Sequence, residues 1–194
     1  APILVIERRP KMKKLVLTSA LCLSFSIAFS QITFVKGYMI TIAGDTLKGE
    51  VKMNPKKEFD NYSKVFFKDA SGVQKNYKPD KVKGYGFDNK HFITSKYDGE
   101  PTFFKVLSKG HIMLFEMMYE MQIMNEISQK TEYYLAKKED TEYAKLKENK
   151  YKKQLTELMK DNPEILANAE EGKKFEIEKV VELVNQYNDW AKTK

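Results

Sequence analysis

The sequence predicts an α+β fold in which an N-terminal antiparallel β meander is covered by C-terminal amphipathic helices. Short runs rich in Val, Ile, Thr, Tyr and Phe alternate with turn residues as far as about residue 138. Beyond that point, apolar residues recur every three or four positions, which is typical of helices packed along one face. We therefore expect one domain over 31–194, β-rich in 31–138 and helical in 139–194. The meander is expected to form a sandwich or a partly open barrel.

The first thirty residues have the composition of an export leader. Met12-Lys13-Lys14 precedes an uncharged apolar run over 15–27, and Ala28-Phe29-Ser30 follows as a small-x-small cleavage site. These are the three parts of a secretory signal peptide, and the apolar run is short for a membrane span. We expect cleavage after Ser30, with residues 1–11 as an upstream extension, and a mature protein in the periplasm or cell envelope. An uncleaved anchor and lipidation at Cys22 are the alternatives.

Removing residues 1–30 changes the charge of the chain. The whole chain has 34 Lys+Arg and 27 Asp+Glu, a net charge of +7. Five of those basic residues, including both arginines, and one acid precede residue 31, so the mature chain has a net charge of about +3. Bidentate contacts to phosphate and guanine are mainly arginine contacts, so we expect no nucleic-acid partner. The net charge is +6 over residues 31–109 and −3 over residues 110–194, which suggests peripheral contact with an anionic membrane.

Four hairpins are expected in the β-rich part. Each has two short runs around a turn that contains glycine, aspartate or asparagine. The paired runs are 37–42 with 46–53, 63–68 with 73–77, 85–87 with 91–95, and 103–107 with 112–115. Closely spaced strands joined by tight turns are typical of an antiparallel meander.

Three helical segments are expected after the strands. Residues 151–159 carry an apolar stripe at helical spacing, and Asp161-Asn162-Pro163 is a helix-start signal. The last helix has the clearest period, with apolar residues at Ile177, Val180, Val181, Val184, Tyr187 and Ala191. These helices are too short to form a core of their own, so we expect them to pack on the sheet.

Several short motifs resemble those of uncharacterised exported proteins of the Bacteroidetes. They are Gly37-Tyr38-Met39-Ile40-Thr41 with Gly44-Asp45-Thr46-Leu47-Lys48-Gly49, Tyr77-Lys78-Pro79 with Val82-Lys83-Gly84-Tyr85-Gly86-Phe87, Phe104-Lys105-Val106-Leu107, and Val184-Asn185-Gln186-Tyr187-Asn188. The resemblance implies export and the fold class, and it implies no activity.

A methionine-rich segment offers the candidate metal ligands. On a helix, Met118, Met121 and Met124 would share one face, where thioethers favour Cu(I), and His111 lies nearby in sequence. Residues 113–123 alternate equally well as a strand, in which case methionine fills an irregular core or a plastic binding surface. No other cofactor is expected.

Adjacent aromatic residues constrain the sheet. The two rings of Phe66/Phe67, and those of Phe103/Phe104, point to opposite faces of a strand. One ring of each pair is therefore either in the second layer of a core or exposed as part of a binding face. We favour coverage by the C-terminal helices.

Motifs for catalysis are missing from the mature sequence. It contains no GxSxG, no Ser-x-x-Lys, no cysteine and no complete dinucleotide-binding glycine loop, and its only histidines are His91 and His111. We therefore expect a non-enzymatic binding module whose partner is an envelope component, a glycan or a protein. The alternatives are a hydrolase with a carboxylate pair outside any motif and the soft-metal binder described above.

Overall fold

The structure is a computed structural model that describes residues 33–53, 57–138, 140, 142–167 and 174–194. Residues 34–194 form one compact unit. The expected signal peptide and its cleavage site lie outside the described residues. Among the described residues, no helix has both the length and the apolar character needed to cross a bilayer.

Among the described residues, ten strands form one antiparallel sheet, as the sequence predicts for the fold class. The four expected hairpins are present, and two further hairpins join residues 90–97 to 100–108 and residues 112–123 to 126–137. The strands are β1 (Thr33–Thr41), β2 (Thr46–Met53), β3 (Val65–Asp69), β4 (Gln74–Tyr77), β5 (Val82–Phe87), β6 (Lys90–Tyr97), β7 (Glu100–Ser108), β8 (Ile112–Ile123), β9 (Glu126–Lys137) and β10 (Ala144–Lys145).

The sheet departs from a simple meander at one point. Its strand order is β10-β9-β8-β7-β6-β5-β1-β2-β3-β4, so β1 lies between β2 and β5. After β4 the chain returns through a short 3₁₀ turn, Pro79–Lys81, and β5 then pairs antiparallel with β1. This pairing joins residues far apart in sequence, so the local hairpin signals do not predict it.

In the part of the chain that the structure describes, four helices accompany the sheet: α1 (Asp60–Ser63), α2 (Tyr151–Leu158), α3 (Glu164–Ala167) and α4 (Ile177–Ala191). The last three follow the strands, as expected, whereas α1 lies in the β2–β3 connection. In the predicted stripes of α2 and α4, Leu155, Val180 and Val184 are fully buried. They form one apolar cluster with Ile112 and Leu114 of β8, so the C-terminal helices do pack on the sheet.

A polar anchor fixes α4 to the β7–β8 connection. Asn188 is only 3 % exposed. Its amide group donates to the Ile112 carbonyl at 2.8 Å and to Ser108 Oγ at 3.1 Å, and its Oδ1 accepts from the Ile112 N–H at 2.7 Å. Gly110 lies against this side chain, because a Cβ there would be 2.4 Å from Asn188 Cγ. Asn188, in the C-terminal motif 184–188, thus has a structural role.

The glycines of the Gly84-Tyr85-Gly86 motif permit close packing. A Cβ on Gly84 would lie 2.4 Å from the Phe92 carbonyl oxygen, and one on Gly86 would lie 2.6 Å from the Tyr38 ring. Tyr85 between them is fully buried and stacks on Phe92, with ring centroids 4.6 Å apart. The motif is therefore explained by the packing of β5 against its neighbours.

Both faces of β7 are buried around its aromatic pair. Phe103 meets Tyr85 edge-on at 4.9 Å, whereas Phe104 packs edge-on against Tyr134 and Tyr143 at 5.4 and 5.7 Å. Neither ring is exposed. Tyr143, in the β9–β10 connection, covers the Phe104 face of the sheet. We had expected the C-terminal helices to cover it. Phe66 of the other pair is half-buried, with the Lys52 ammonium 4.8 Å above its ring.

Candidate functional site

The candidate site is a fork where β7 and β8 separate. The ladder between them joins Ser108 to Leu114, Val106 to Phe115 and Lys105 to Glu116, and there it ends. Among the described residues, β7 beyond that point pairs only with β6, and β8 pairs only with β9, as far as Ile123. We call the space between Glu100–Thr102 of β7 and Met117–Glu120 of β8 the β7/β8 fork. Its two sides lack the strand partner that an uninterrupted ladder would supply.

A groove of about 820 Å³ occupies this fork. The two diverging strands form its long sides, and α1 and the 3₁₀ turn complete the wall. Most of its large side chains are aromatic, methionine or proline, and its rim is charged. The lining residues are Phe59, Tyr62, Ser63, Lys78, Pro79, Asp80, Tyr97, Glu100, Pro101, Thr102, Met117, Met118, Tyr119 and Glu120. Such a mixture of apolar walls and a few polar groups is typical of ligand sites.

A buried polar network holds the wall of the groove in place. The Tyr62 hydroxyl donates to Glu116 Oε1 at 2.6 Å, and Lys105 Nζ donates to the same oxygen at 2.9 Å. The side chains of Lys105 and Glu116 are only 21 % and 13 % exposed. Burial, reinforced by the charge of Glu116 and the hydrogen bond to it, raises the pKa of Tyr62. The Tyr62 hydroxyl therefore stays protonated and acts as a donor that ties α1 to the start of the fork.

A second network fixes Tyr119 at the other side of the groove. Glu132 accepts from the Tyr119 hydroxyl at 2.9 Å, from the Tyr134 hydroxyl at 2.6 Å and from Lys145 Nζ at 2.5 Å. Burial alone would raise the pKa of Glu132, but these three hydrogen bonds outweigh it and lower the pKa. The hydrogen bond to Glu132 raises the pKa of Tyr119 to about 12. Tyr119 also lies 6.1 Å from Tyr97, ring centroid to ring centroid, so the two tyrosines form a joint aromatic surface.

Replacing Glu132 by glutamine is expected to make the free energy of unfolding depend less on pH in the acidic range. Because the folded-state pKa of Glu132 is lowered, its carboxylate stabilises the fold above the unfolded value of about 4.3, and this stabilisation is lost as pH falls through the folded-state pKa. Urea denaturation between about pH 6 and pH 3 should therefore show a shallower fall for Glu132→Gln than for the unmodified protein. The exposed Glu126→Gln is the control and should keep the original slope. Equal slopes for all three proteins would contradict this assignment.

The charges on the rim of the groove are mostly negative. Asp80 pairs with Lys81 at 2.9 Å. Glu100 and Glu120 have no ion-pair partner among the described residues, and Lys78 is the only cation in the lining. The groove is therefore acidic although the chain has a net positive charge, and this sign favours a ligand that carries basic groups.

The structure does not bring the four candidate metal ligands together. Residues 112–123 form a strand, so Met118 and Met121 point to opposite faces. Met124 lies in the β8–β9 turn and is 93 % exposed. His111 precedes the other end of β8, roughly 40 Å from Met124 at strand spacing. The shared thioether face required a helix, which this segment does not form.

The histidines are placed away from the fork. The Tyr38 hydroxyl and His91 Nδ1 are hydrogen-bonded to each other at 2.7 Å. The His111 ring lies 5.9 Å from that of Tyr187, in a shallow hollow that also includes Lys109, Lys138 and Lys192. Within the described part of the chain, no three His, Cys, Asp or Glu residues are grouped as a metal site would require.

Sequence patterns leave the fork undetected, although two features of the sequence are consistent with it. Pro101 lies within the β7 run, and proline is largely confined to edge positions of sheets because it lacks an N–H. The alternating run of β8 continues to Ile123, well beyond the expected end of the hairpin at residue 115. Only the structure shows that the two strands diverge. A comparison of the chain with protein families, curated proteins and solved structures finds no match.

Proposed function

We propose that this chain is an exported, non-enzymatic binding module that holds its ligand in the β7/β8 fork. The observation that carries the proposal is the groove itself. It combines a joint tyrosine surface, methionine and proline walls, and a rim with two unpaired carboxylates. The polar groups nearest its wall are already used, because Glu116 accepts from both Tyr62 and Lys105. The groove would therefore hold a ligand by packing against its aromatic and methionine side chains and by interaction with the rim carboxylates.

Export to the periplasm or cell envelope is the second part of the proposal. The basic, apolar and small-residue pattern of residues 12–30 supports it, as does the resemblance to exported proteins of the Bacteroidetes. The partner is then an envelope component, a glycan or a protein, and the net positive charge of residues 31–109 favours peripheral contact with an anionic membrane. Expression of the full chain in a Gram-negative host, followed by N-terminal sequencing, should give a protein that starts at Gln31. Recovery of only the uncleaved chain in the cytoplasm would contradict export.

We also propose that the sheet curls towards a partly open barrel. α1 connects β2 and β3, yet Tyr62 of α1 reaches Phe92 of β6, at 5.5 Å between ring centroids, and Glu116 of β8. In the strand order, β8 lies five strands from β2, which is about 24 Å in a flat sheet. Strong curvature would bring these elements within reach and would place the fork beside α1.

The binding role is tested by a thermal-shift panel on protein purified after expression of the full chain. The panel contains oligosaccharides, peptidoglycan fragments, peptides and anionic vesicles. A ligand at 100 times its dissociation constant should stabilise the protein by about 2.7 kcal/mol. Met118→Lys introduces a positive charge into the groove and should weaken binding of an apolar or basic ligand held there. Met124→Lys places the same change outside the groove, on the exposed turn that follows β8, and should leave binding unchanged.

Two results would overturn the binding role. Equal affinity of both lysine variants for the ligand would place binding outside the fork. Turnover of a glycan, ester or peptide that is lost in Glu120→Gln would instead favour the hydrolase alternative.

A further inference from the structure

We infer that the occupant of the fork is an extended peptide that adds a strand to the free edge of β8. This inference rests on the proposed binding role of the β7/β8 fork and names the class of ligand. From Met117 to Ile123, β8 is paired on one side only, with β9. An extended peptide can pair with the other side through main-chain hydrogen bonds, and its alternate side chains then enter the groove.

The free edge is long enough for such pairing. The segment from Met117 to Ile123 spans about 24 Å at strand spacing. Strands in globular proteins usually have five or six residues, so this edge can hold one of ordinary length. The groove follows the part of the edge that faces β7, where Met117, Met118, Tyr119 and Glu120 line it.

The sheet protects its outer edges but leaves this inner one bare. Natural sheets protect edge strands by making them short or by placing lysine or proline on them. The outer edges follow this rule: β10 has two residues, β4 has four with Lys75 among them, and the part of β9 that β10 does not cover, residues 126–132, carries Lys130. On the β7 side of the fork, Pro101 has no N–H to offer. The free part of β8 contains neither lysine, proline nor glycine, so its main chain remains available for pairing.

The unpaired strand favours a peptide over a glycan. A β edge presents alternating N–H and C=O groups at a spacing that another extended main chain matches. A sugar chain has hydroxyls but no repeating amide, so it would leave part of this edge unpaired. The tyrosine and methionine side chains on the two sides of the groove suit the alternating side chains of a strand.

The charges of the groove predict a basic residue in the peptide. Glu100 and Glu120 lie on opposite sides of the fork, and neither has an ion-pair partner among the described residues. A lysine or arginine side chain that projects between them would complement both carboxylates. A second copy of this chain fits less well. Antiparallel pairing of two β8 edges about residue 120 places Glu120 opposite Glu120 of the other copy, and like charges in this position are destabilising.

The test uses peptides selected from a displayed library of random dodecamers on protein purified after expression of the full chain. Selected sequences should alternate apolar residues and contain lysine or arginine. The best peptide is then synthesised with a single N-methyl group at each position in turn. Because only every second amide of an added strand points to β8, N-methylation should weaken binding about tenfold at alternate positions and little between them.

Two charge-reversal variants complete the test. Glu120→Lys should weaken binding of the basic peptide about tenfold, whereas Glu126→Lys, on the exposed start of β9, should not change it. Loss of peptide binding in Met118→Lys, but not in Met124→Lys, places the peptide in the fork.

The outcomes separate this inference from the binding role. Peptide binding in the fork without an alternating N-methyl pattern would overturn strand addition and leave the binding role intact. The same holds if no peptide is selected and a glycan binds in the fork. Concentration-dependent dimerisation that Met118→Lys abolishes, in the absence of peptide binding, would identify a second copy as the occupant and overturn the inference. Absence of any ligand at the fork would overturn both.

Discussion

Replacing Asn188 by alanine is expected to lower the free energy of unfolding by about 3 kcal/mol, because it leaves the buried N–H and C=O of Ile112 without partners. For a domain of this size, that corresponds to a fall of roughly 6–12 °C in Tm. Urea denaturation followed by the fluorescence of Trp190, the only tryptophan of the chain, measures the change directly. Trp190 lies on the same helix, 5.5 Å from Tyr187 between ring centroids, so it reports on the docking of α4.

A matched control is available on the same helix. Gln186 is exposed, and its amide donates only to Glu182, at 3.2 Å, so Gln186→Ala should change stability by less than about 0.5 kcal/mol. If Asn188→Ala lowers the free energy of unfolding no more than Gln186→Ala does, the hydrogen bonds of Asn188 do not hold α4 to the sheet. A double-mutant cycle sharpens the test. Gly110→Ala should be strongly destabilising alone, but less so beside Asn188→Ala, which removes the side chain that the new Cβ would strike.

Replacing Tyr85 by alanine is expected to cost about 3–5 kcal/mol, the range for truncating a large buried aromatic side chain. Tyr85 is fully buried and stacks on Phe92, and its hydroxyl donates to the Asn61 carbonyl at 2.5 Å. Tyr85→Phe keeps the ring and removes only that hydrogen bond, at a cost of about 1–2 kcal/mol. Chemical denaturation of both variants measures the two costs separately.

The smaller substitution has a second expected effect, on the groove. Asn61 belongs to α1, which forms part of the groove wall, so Tyr85→Phe should loosen that wall and weaken ligand binding. Tyr77→Phe is a suitable control, since Tyr77 is half-buried on the short outer strand β4. It should affect neither stability nor binding appreciably. Equal losses in Tyr77→Phe and Tyr85→Phe would show that the Tyr85 hydroxyl has no special role.

The elements that sequence patterns predict correctly are those with local signals. The turns at Gly44 and Gly72 adopt positive φ angles of 103° and 83°, which glycine accepts readily, and the expected hairpins form around them. The last helix likewise buries the residues that its period indicates, such as Val180 and Val184. In each case the interactions that decide the structure lie within a few residues.

The β8–β9 hairpin lacks such a signal. Its two-residue turn is Met124–Asn125, where Met124 has a φ of 55°, although glycine or asparagine usually occupies such a position. The run before it fits a strand or a helix equally well, and pairing with β9 along its whole length decides in favour of the strand. The fork depends on a further step, the divergence of β7 from β8, which no pattern within either strand encodes. The sequence therefore does not predict the candidate site, although one of its lining residues, Met118, is among the candidate metal ligands.

The different support of the two ends of β8 has a consequence for motion. Near Leu114, β8 is held between β7 and β9 and beneath the helices. From Met117 onwards, among the described residues, it pairs only with β9 in a ribbon of two strands, with apolar residues exposed at Ile123 and Ile127. Two-stranded ribbons are marginally stable alone and twist more than larger sheets. The outer part of this hairpin is expected to bend relative to the part of β8 that β7 and the helices hold in place. Bending would change the width of the fork while the packing around Phe103 and Phe104 stays fixed, so one rigid core can present a groove of adjustable width.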